Sequence, residues 1–297
     1  LTSADICEEV ARIYGYDKIP STLFKGTVTK GGYDRVWKIK RDISQSLLSM
    51  GLSEIQTYSF ISPKYYDNIC LDKALRKSVV ISNPLGEDTS IMRTTSLPSM
   101  LEVLSKNYAY RNEEVELFEL ACVYIPNEDL GKLPEEKTVI TVGMYGKNVD
   151  FYFVKSVCDT LFENLKIKGE IVYTANENIS YYHPGRCADI SIDGQIIGTV
   201  GQINPCVSDN YDIETEVYAA MIDFNMLIGF INTDIKYKRL PKYPASVRDI
   251  AIICDKGLEV FVLEKAIKEA AAKLLEKVEL FDIYVGEQVG ANKKSVA

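Results

Sequence analysis

Residues Glu113–Pro126 read EEVELFELACVYIP, and this stretch decides the predicted fold. Its apolar and β-branched content predicts a strand of about ten residues. A charged loop follows Pro126, and Thr138–Gly146 (TVITVGMYG) predicts a second strand. Further along, two alternating segments flank Asp193-Gly194, a dipeptide typical of hairpin turns. These strands together predict an antiparallel sheet.

Helices and further strands surround this region without a strict alternation of the two. Helical spacing of apolar residues predicts helices over about Asp5–Tyr14, Asp34–Met50, Ser96–Asn107 and Asp150–Leu165. Further strands are predicted at Glu54–Ile61, Ser78–Leu85 and Glu216–Phe224. Many strands with a few helices between them favour an α+β domain built on an antiparallel sheet.

The C-terminal part has a different pattern. A basic, proline-punctuated stretch (YKRLPKYPASVRD) marks a boundary, and a strand is predicted at Val247–Asp255. A helix follows over Glu259–Val278, then a strand at Glu279–Gly286 and the start of another at Lys293. The apolar stripe expected to be buried on this helix comprises Val262, Ile267, Ala270, Leu274 and Val278. This order resembles the first half of a ferredoxin-like βαββαβ unit.

The composition excludes several classes of protein. The 297 residues are 46% hydrophobic and 26% charged, which is typical of a globular protein, and a chain of this length suits two domains. The net charge of −8 argues against a generally basic nucleic-acid binder. Residues 236–297, however, carry 12 Lys/Arg against 9 Asp/Glu, so a balance of +3 lies on the tail and −11 on the rest.

The seven cysteines give no sign of a disulfide framework or a zinc site. They are odd in number, widely spread, and never form a Cys-x-x-Cys pair. We therefore expect buried, reduced thiols in a cytoplasmic protein. The sequence has no apolar run long enough to span a membrane, so no membrane partner is expected.

The common catalytic motifs are missing from the sequence. It has neither a Gly-x-x-x-x-Gly-Lys phosphate loop nor a Gly-x-Gly-x-x-Gly turn. The one histidine, His183, lies in YYHPGRCADI beside a Pro-Gly turn, without a nucleophile-elbow sequence. A structural or surface role is the expectation for His183.

Six segments carry a resemblance to a known family. They occur in the order EEVARIYGYDKIP, NPLGEDTSIMRTTSLPSMLEVLSKN, VELFELACVY, HPGRCADI, IGTVGQINPCV and KYPASVRDIAIICD. Together they resemble the bacterial phenylalanyl-tRNA synthetase beta chain, over nearly the whole sequence. The specificity lies in the order of the six segments, since no single one decides it.

The resemblance implies a domain organisation. Residues 1–22 would be the C-terminal helix of a B5-type domain with its linker. Residues 33–235 would form a catalytic-like class II synthetase module, an antiparallel sheet with flanking helices. Residues 236–297 would be the N-terminal part of a ferredoxin-fold anticodon-binding domain, a partial βαβ unit. The family's beta chain is longer and carries upstream RNA-binding and editing domains.

The resemblance also implies a function and partners. The family enzyme is a heterotetramer of two alpha and two beta chains, which ligates phenylalanine to tRNA(Phe) with ATP and Mg²⁺. The alpha chain carries out the chemistry and uses the ATP. This chain is then expected to support assembly and tRNA placement, and to be inactive alone.

The residues agree with a module that has no catalytic group of its own. A class II site needs an arginine to hold the ATP α-phosphate and carboxylates for Mg²⁺. The strand with Glu119 has no neighbouring arginine in sequence, and Arg93 lies on another segment. We expect Arg93 and Glu119 to fix loops or to pair across the sheet. An ATP-dependent ligase that works alone is the alternative.

Three carboxylates, Asp5, Glu8 and Glu9, crowd the start of the first predicted helix. Acidic residues there can simply complement the helix dipole, and Arg12 can pair with Glu8 four residues earlier. The resemblance implies instead a Mg²⁺ site shared with the alpha chain, on the pattern Asp-x-x-Glu-Glu. Both interpretations stay open, and the metal-free one is favoured for this chain.

Four cations in the tail are candidate RNA contacts, since Lys and Arg bind phosphates. They are Lys238, Arg239, Lys242 and Arg248. Arg248 matches a basic position of the family motif, although Asp249 could pair with it. A solvated linker is an equal interpretation of the other three. A free-standing RNA-binding module is therefore a further alternative.

Overall fold

In a computed structural model, the structure describes residues 2–129, 131–232, 236–237, 239–240, 242–290 and 292–297. The chain forms two compact units, Leu1–Asp234 and Ile235–Ala297. We call them the first and second units. The domain boundaries predicted from the sequence remain predictions.

The first unit contains most of the regular structure. Its helices are α1 (Ser3–Tyr14), α2 (Arg35–Ser49), α3 (Lys64–Asn68), α4 (Leu97–Ala109), α5 (Phe151–Asn164), α6 (Pro205–Asp209) and α7 (Phe224–Leu227). Its strands are β1 (Ser53–Glu54), β2 (Phe60–Ile61), β3 (Ile91–Met92), β4 (Val115–Ile125), β5 (Glu135–Tyr145), β6 (Ile171–Ala175), β7 (Tyr182–Ile192), β8 (Gln195–Ile203) and β9 (Tyr218–Asp223). Aspartates fix two helix starts, because Asp34 accepts from the Trp37 N–H and Asp150 from the Phe153 N–H.

A mostly antiparallel sheet forms the centre of the first unit. Within the described residues it has seven strands in the order β1-β4-β5-β9-β8-β7-β6. The pair β4 and β5 runs in unbroken register from Val115 opposite Tyr145 to Ile125 opposite Glu135. Only the short edge strand β1 runs parallel to its neighbour, β4, among the strand pairs described. The predicted α+β fold on an antiparallel sheet is confirmed.

The two faces of the sheet bury separate apolar cores. Helices α2 and α5 pack on one face, with Ile43 and Leu161 against sheet residues such as Phe118 and Val142. Helix α4 packs on the other face through Met100 and Leu104. Both faces are therefore covered, as expected for a sheet with helices on each side.

Two strand predictions in the first unit are wrong. Glu54–Ile61 contains the last residue of β1 and the two residues of β2, and residues 55–59 between them are irregular. Ser78–Leu85 forms one isolated bridge, Val80 with Ile91, and no strand. The cysteine prediction is also partly wrong, because Cys7, Cys70 and Cys206 are exposed while Cys158 and Cys187 are buried.

The second unit has β10 (Ile252–Asp255), α8 (Val260–Ala271), β11 (Ile283–Tyr284) and β12 (Lys293–Val296). Strand β12 lies between β10 and β11 and runs antiparallel to both. The predicted order of strand, helix, strand and further strand is confirmed. The helix ends earlier than predicted, because Ala272 adopts a positive φ of 46°. The predicted buried stripe is wrong as well: Val262, Ala270 and Leu274 are exposed.

Candidate functional site

A buried ion pair joins strand β4 to the segment before α4. Arg93 precedes α4 and is 1% exposed, and Glu119 on β4 is 3% exposed. Nη2 of Arg93 lies 3.2 Å from Oε1 of Glu119. The sequence predicted that these two residues fix loops or pair across the sheet, and in the structure they pair with each other.

Thr57 completes this polar cluster. Its backbone N–H donates to Oε1 of Glu119 at 3.0 Å, and its hydroxyl lies 2.9 Å from both carboxylate oxygens. Arg93 Nη1 donates to the Thr57 hydroxyl at 2.6 Å, and Arg93 Nε to the carbonyl oxygen of Cys122 at 2.9 Å. Each guanidinium nitrogen of Arg93 is thus engaged by the protein, as a buried charge requires.

Nothing in the sequence indicates that Thr57 belongs to this cluster. Thr57 lies in Glu54–Ile61, where the β-branched and aromatic content predicts an unbroken strand, and a threonine there is unremarkable. Its N–H instead bonds a carboxylate 62 residues away.

Helix α4 closes the centre of the same face. A Cβ added to Gly143 on β5 would lie 2.5 Å from Cγ of Met100 and 3.1 Å from Cδ1 of Leu104. Next to Gly143 on this face, Thr141 shares a hydrogen bond with Ser96 at the start of α4, and both side chains are fully buried. The space above β5 is therefore filled by side chains of the chain itself.

A surface cleft of about 390 Å³ lies at the β1 edge of the sheet. Its lining within the described residues is Gly51, Ser53, Asn107, Asn112, Glu114, Val115, Glu116 and Leu117. Burial, together with the charge of Glu114, raises the pKa of Glu116 above its usual value. An acidic lining of this kind repels the phosphates of a nucleotide.

His183 lies in a local cluster at one end of β7, β8 and β9. Its Nδ1 accepts from the Gly185 N–H at 3.0 Å. Arg186 donates to Glu216 at 2.9 Å, and the Tyr218 hydroxyl donates to Glu216 at 2.7 Å. The hydrogen bond from Tyr218, followed by those from Arg186, lowers the pKa of Glu216, while burial and Glu216 raise that of Tyr218 to about 12. His183 is half-buried and accepts this hydrogen bond within the turn, and the structural or surface role expected for it stays a prediction.

The three N-terminal carboxylates lie on the exposed helix α1. Asp5 Oδ2 accepts from the Thr2 N–H and the Thr2 hydroxyl, which caps the helix. Arg12 pairs with Glu9 at 2.6 Å, not with Glu8 as the sequence suggested. Within the described residues, no group of three acidic, His or Cys side chains is arranged to hold a metal ion. The Mg²⁺ site with Asp5, Glu8 and Glu9 as ligands stays a prediction.

The candidate RNA contacts of the tail are exposed where they are described. Arg239, Lys242 and Arg248 are exposed, whereas Lys238 lies outside the described residues. Lys242 Nζ lies 5.8 Å from the ring centre of Tyr243, and Arg248 Nη1 donates to the carbonyl oxygen of Val247 at 2.8 Å. Exposed cations beside an exposed tyrosine suit a phosphate backbone with unpaired bases.

Helices long and apolar enough to cross a membrane are absent from the described part of the chain.

Comparison with models of protein families shows which family the chain belongs to. The family model described as the phenylalanyl tRNA synthetase beta chain CLM domain matches residues 19–224. This chain belongs to the phenylalanyl-tRNA synthetase beta chain family. The ferredoxin-fold anticodon binding domain matches residues 241–297, within the second unit of this beta-chain family member.

Curated relatives agree with this membership. The phenylalanine–tRNA ligase beta subunit of Clostridium acetobutylicum is 44% identical over 295 residues, and that of Clostridium tetani 41%. The Bacillus subtilis beta subunit is 35% identical over 303 residues. Each comparison covers 99% of this chain but 37% of the relative. The chain thus spans about 37% of the length of the curated relatives it matches.

Solved structures support the fold alone. A pyrrolysyl-tRNA synthetase from Desulfitobacterium hafniense matches with a TM-score of 0.55 and 12% identity, over 65% of this chain and 68% of that one. A second structure of this synthetase gives a TM-score of 0.54. The predicted class II synthetase-like fold of the beta-chain family member is confirmed.

Proposed function

We propose that this chain is a non-catalytic part of the beta subunit of phenylalanine–tRNA ligase. It supports assembly with the alpha subunit and binding of tRNA(Phe) during ATP-dependent aminoacylation. The observation that carries this proposal is the closed Arg93–Glu119 pair, which leaves no guanidinium nitrogen of Arg93 for a phosphate. The full enzyme is then a class II heterotetramer of two alpha and two beta chains, working in the cytoplasm.

The decisive experiment measures phenylalanine-dependent exchange of pyrophosphate into ATP. We expect no exchange above background with the 297-residue chain alone, and exchange with the alpha subunit present. An Arg93→Met variant serves as the control for residual activity. Exchange by the chain alone that disappears in this variant would show a ligase that works by itself.

The surface of the first unit supports a docking role towards the alpha subunit. Tyr58, Val80 and Leu85 are large apolar residues with mostly or fully exposed side chains, in or beside the irregular segments between β1 and β3. Apolar side chains of this kind form the buried core of stable interfaces. Co-purification with a tagged alpha subunit tests this role. We expect Leu85→Glu to weaken it, and Leu133→Glu, at an equally exposed leucine of the β4–β5 loop, to leave it unchanged.

Binding of Mg²⁺ remains a proposal for the assembled enzyme. Asp5, Glu8 and Glu9 supply oxygen ligands of the kind Mg²⁺ prefers. To bind together, Asp5 must leave Thr2 and Glu9 must leave Arg12. Further oxygen ligands must then come from a partner, which fits a site shared between subunits.

A further inference from the structure

A strongly basic stretch of the chain lies in the first unit, outside the tail. We call residues 18–41 the basic segment. It contains seven Lys/Arg and one acidic residue, Asp34, a net charge of +6 within a chain of net charge −8. Such a reversal of sign over 24 residues is the electrostatic signature of an anion-binding surface.

Six of the seven cations of the basic segment are exposed, and Lys40 is half-buried. Residues 20–34 form an exposed stretch outside any helix or strand that carries Lys25 and Lys30. Lys38 and Arg41 follow on α2, one helical turn apart and both exposed. Ile39 and Ile43 point from α2 into the core, so the basic side is the outer side of the helix.

Aromatic rings alternate with these cations. The Arg41 guanidinium lies 5.7 Å from the ring centre of Tyr33, and Lys40 Nζ lies 5.9 Å from that of Trp37. Trp37 is 61% exposed and Phe24 is 98% exposed. Exposed rings beside cations provide stacking platforms for unpaired bases next to phosphate contacts.

Few carboxylates lie near this surface along the chain: Asp34 is within it, and Asp17 and Asp42 adjoin its two ends. Asp34 is engaged as the cap of α2, where it accepts from the Trp37 N–H at 2.8 Å. Asp42, which follows Arg41 on α2, is exposed. Among the described residues, no Lys or Arg of the basic segment forms an ion pair, and Lys40 bonds the Thr138 hydroxyl instead.

We propose that the basic segment is a second RNA-contact surface, separate from the anticodon-binding unit. Its cations bind the phosphate backbone of a tRNA, and Trp37 and Phe24 stack on unpaired bases. This inference rests on the proposed tRNA-binding function. A polyanion with unpaired bases is the occupant that we assign, because the segment combines a net charge of +6 with exposed rings at Phe24, Tyr33 and Trp37.

Trp37 makes the test direct, because it is the only tryptophan of the chain. A tRNA(Phe) transcript is titrated into the full 297-residue chain while Trp37 fluorescence and filter retention are recorded at several salt concentrations. We expect saturable quenching in the parent chain. Lys38→Glu/Arg41→Glu should weaken binding roughly tenfold and reduce the slope of log affinity against log salt by about 1.5, for two lost phosphate contacts.

Three further variants complete the design. Lys25→Glu/Lys30→Glu lies outside any helix or strand, so it tests the surface without disturbing α2, and we expect a similar loss. Lys147→Glu/Lys168→Glu changes the charge equally at exposed lysines elsewhere in the first unit, and less than a twofold loss is expected. Lys242→Glu/Arg248→Glu tests the tail, and should leave the quenching of Trp37 at saturation intact.

Each contrary result has its own meaning. Parent-like binding by both basic-segment variants, with loss only in the tail variant, overturns this inference and leaves the proposed function standing. Absence of tRNA binding by the parent chain overturns both. If the basic-segment variants bind tRNA normally but no longer co-purify with the alpha subunit, the surface docks a protein, and the RNA assignment is wrong.

Discussion

Arg93 and Glu119 form a buried ion pair on one face of the sheet. Two opposite charges buried together need each other and need hydrogen bonds for their remaining donors and acceptors. Thr57 and the Cys122 carbonyl oxygen supply these bonds. The pair is therefore a structural group, and removing one member leaves the other as an uncompensated charge in the core.

Replacing Glu119 with Gln should lower the free energy of unfolding of the first unit by about 3 kcal/mol, since the Arg93 charge stays buried without its counter-charge. Urea unfolding followed by Trp37 fluorescence reports on this unit. The double variant Arg93→Met/Glu119→Leu removes both charges and should lose less than the single one. Asp129→Asn, which breaks an exposed pair with Lys132, is the control and should cost below about 0.5 kcal/mol. Equal losses in E119Q and D129N would contradict a buried structural pair.

Replacing Glu116 should stabilise the folded chain, in contrast to replacing Glu119. Its pKa is raised in the folded chain, so ionising it disfavours folding, and this destabilisation appears as the pH rises past the usual value for a glutamate. Glu116→Gln should therefore raise the melting temperature at pH 7 and leave it unchanged at pH 4. Glu113→Gln, at an exposed neighbour, should change neither. A gain for E116Q that is equal at both pH values would rule out the ionisation as its cause.

The sequence predicted part of the polar site around Arg93. It indicated that Arg93 and Glu119 would fix loops or pair across the sheet, because no phosphate-binding motif surrounds either of them. The partner of Arg12 was predicted wrongly, since positions three and four residues away both lie within reach on a helix and the sequence does not choose between them. Thr57 was missed because its partner lies 62 residues away.

Helix α4 is the element that excludes a ligand from the sheet. Its side chains occupy the space that the missing side chain of Gly143 leaves above β5. This close approach gives the glycine a packing reason, since interiors have few voids to absorb an added methyl group.

Gly143→Ala should destabilise the first unit by about 1–3 kcal/mol, because the new Cβ would clash with Met100. Gly31→Ala is the matched control, since an added Cβ there meets nothing within 4 Å. Thermal unfolding of both variants measures the difference. A tolerated G143A would mean that α4 can move away from the sheet, and the face could then open.

Helix α2 carries Arg35 in its first turn, where the positive end of the helix dipole disfavours a cation. Arg35→Glu should therefore stabilise the first unit by about 0.3–1 kcal/mol. The same variant should weaken tRNA binding if the basic segment contacts phosphates. Urea unfolding and the fluorescence titration together separate these effects. A variant that is both less stable and weaker in binding would point to a damaged helix instead of a lost contact.

Elements were predicted best where they are long and regular. Strands β4 and β5 and helices α2, α4 and α5 follow from periodicity within a few residues. Residues 55–59 were predicted as part of a strand by composition, but there the Thr57 N–H serves Glu119 instead of a neighbouring strand. The early end of α8 depends on the backbone at Ala272, for which its alanine-rich sequence gives no signal.

The whole molecule divides its charge unevenly, and this division was only partly visible from the sequence. A basic balance was assigned to residues 236–297, whereas a second basic stretch lies at 18–41, inside the acidic remainder. The negative net charge summed over residues 1–235 hides the local excess of cations at residues 18–41. The exposure of the cations and the absence of ion pairs around them, within the described residues, required the structure.

Mg²⁺ binding at α1 should depend on the alpha subunit as well as on this chain. The three carboxylates of α1 are exposed, and two of them, Asp5 and Glu9, are engaged within the helix. An exposed cluster without further ligands competes poorly with water for a cation that dehydrates reluctantly. Calorimetric titration of the 297-residue chain with MgCl₂ should give no saturable heat at about millimolar concentrations. Addition of the alpha subunit should create a saturable site that Asp5→Asn/Glu9→Gln removes and Asp209→Asn, at an exposed residue at the end of α6, retains. A saturable site in the chain alone that D5N/E9Q abolishes would show that these carboxylates bind the ion without a partner.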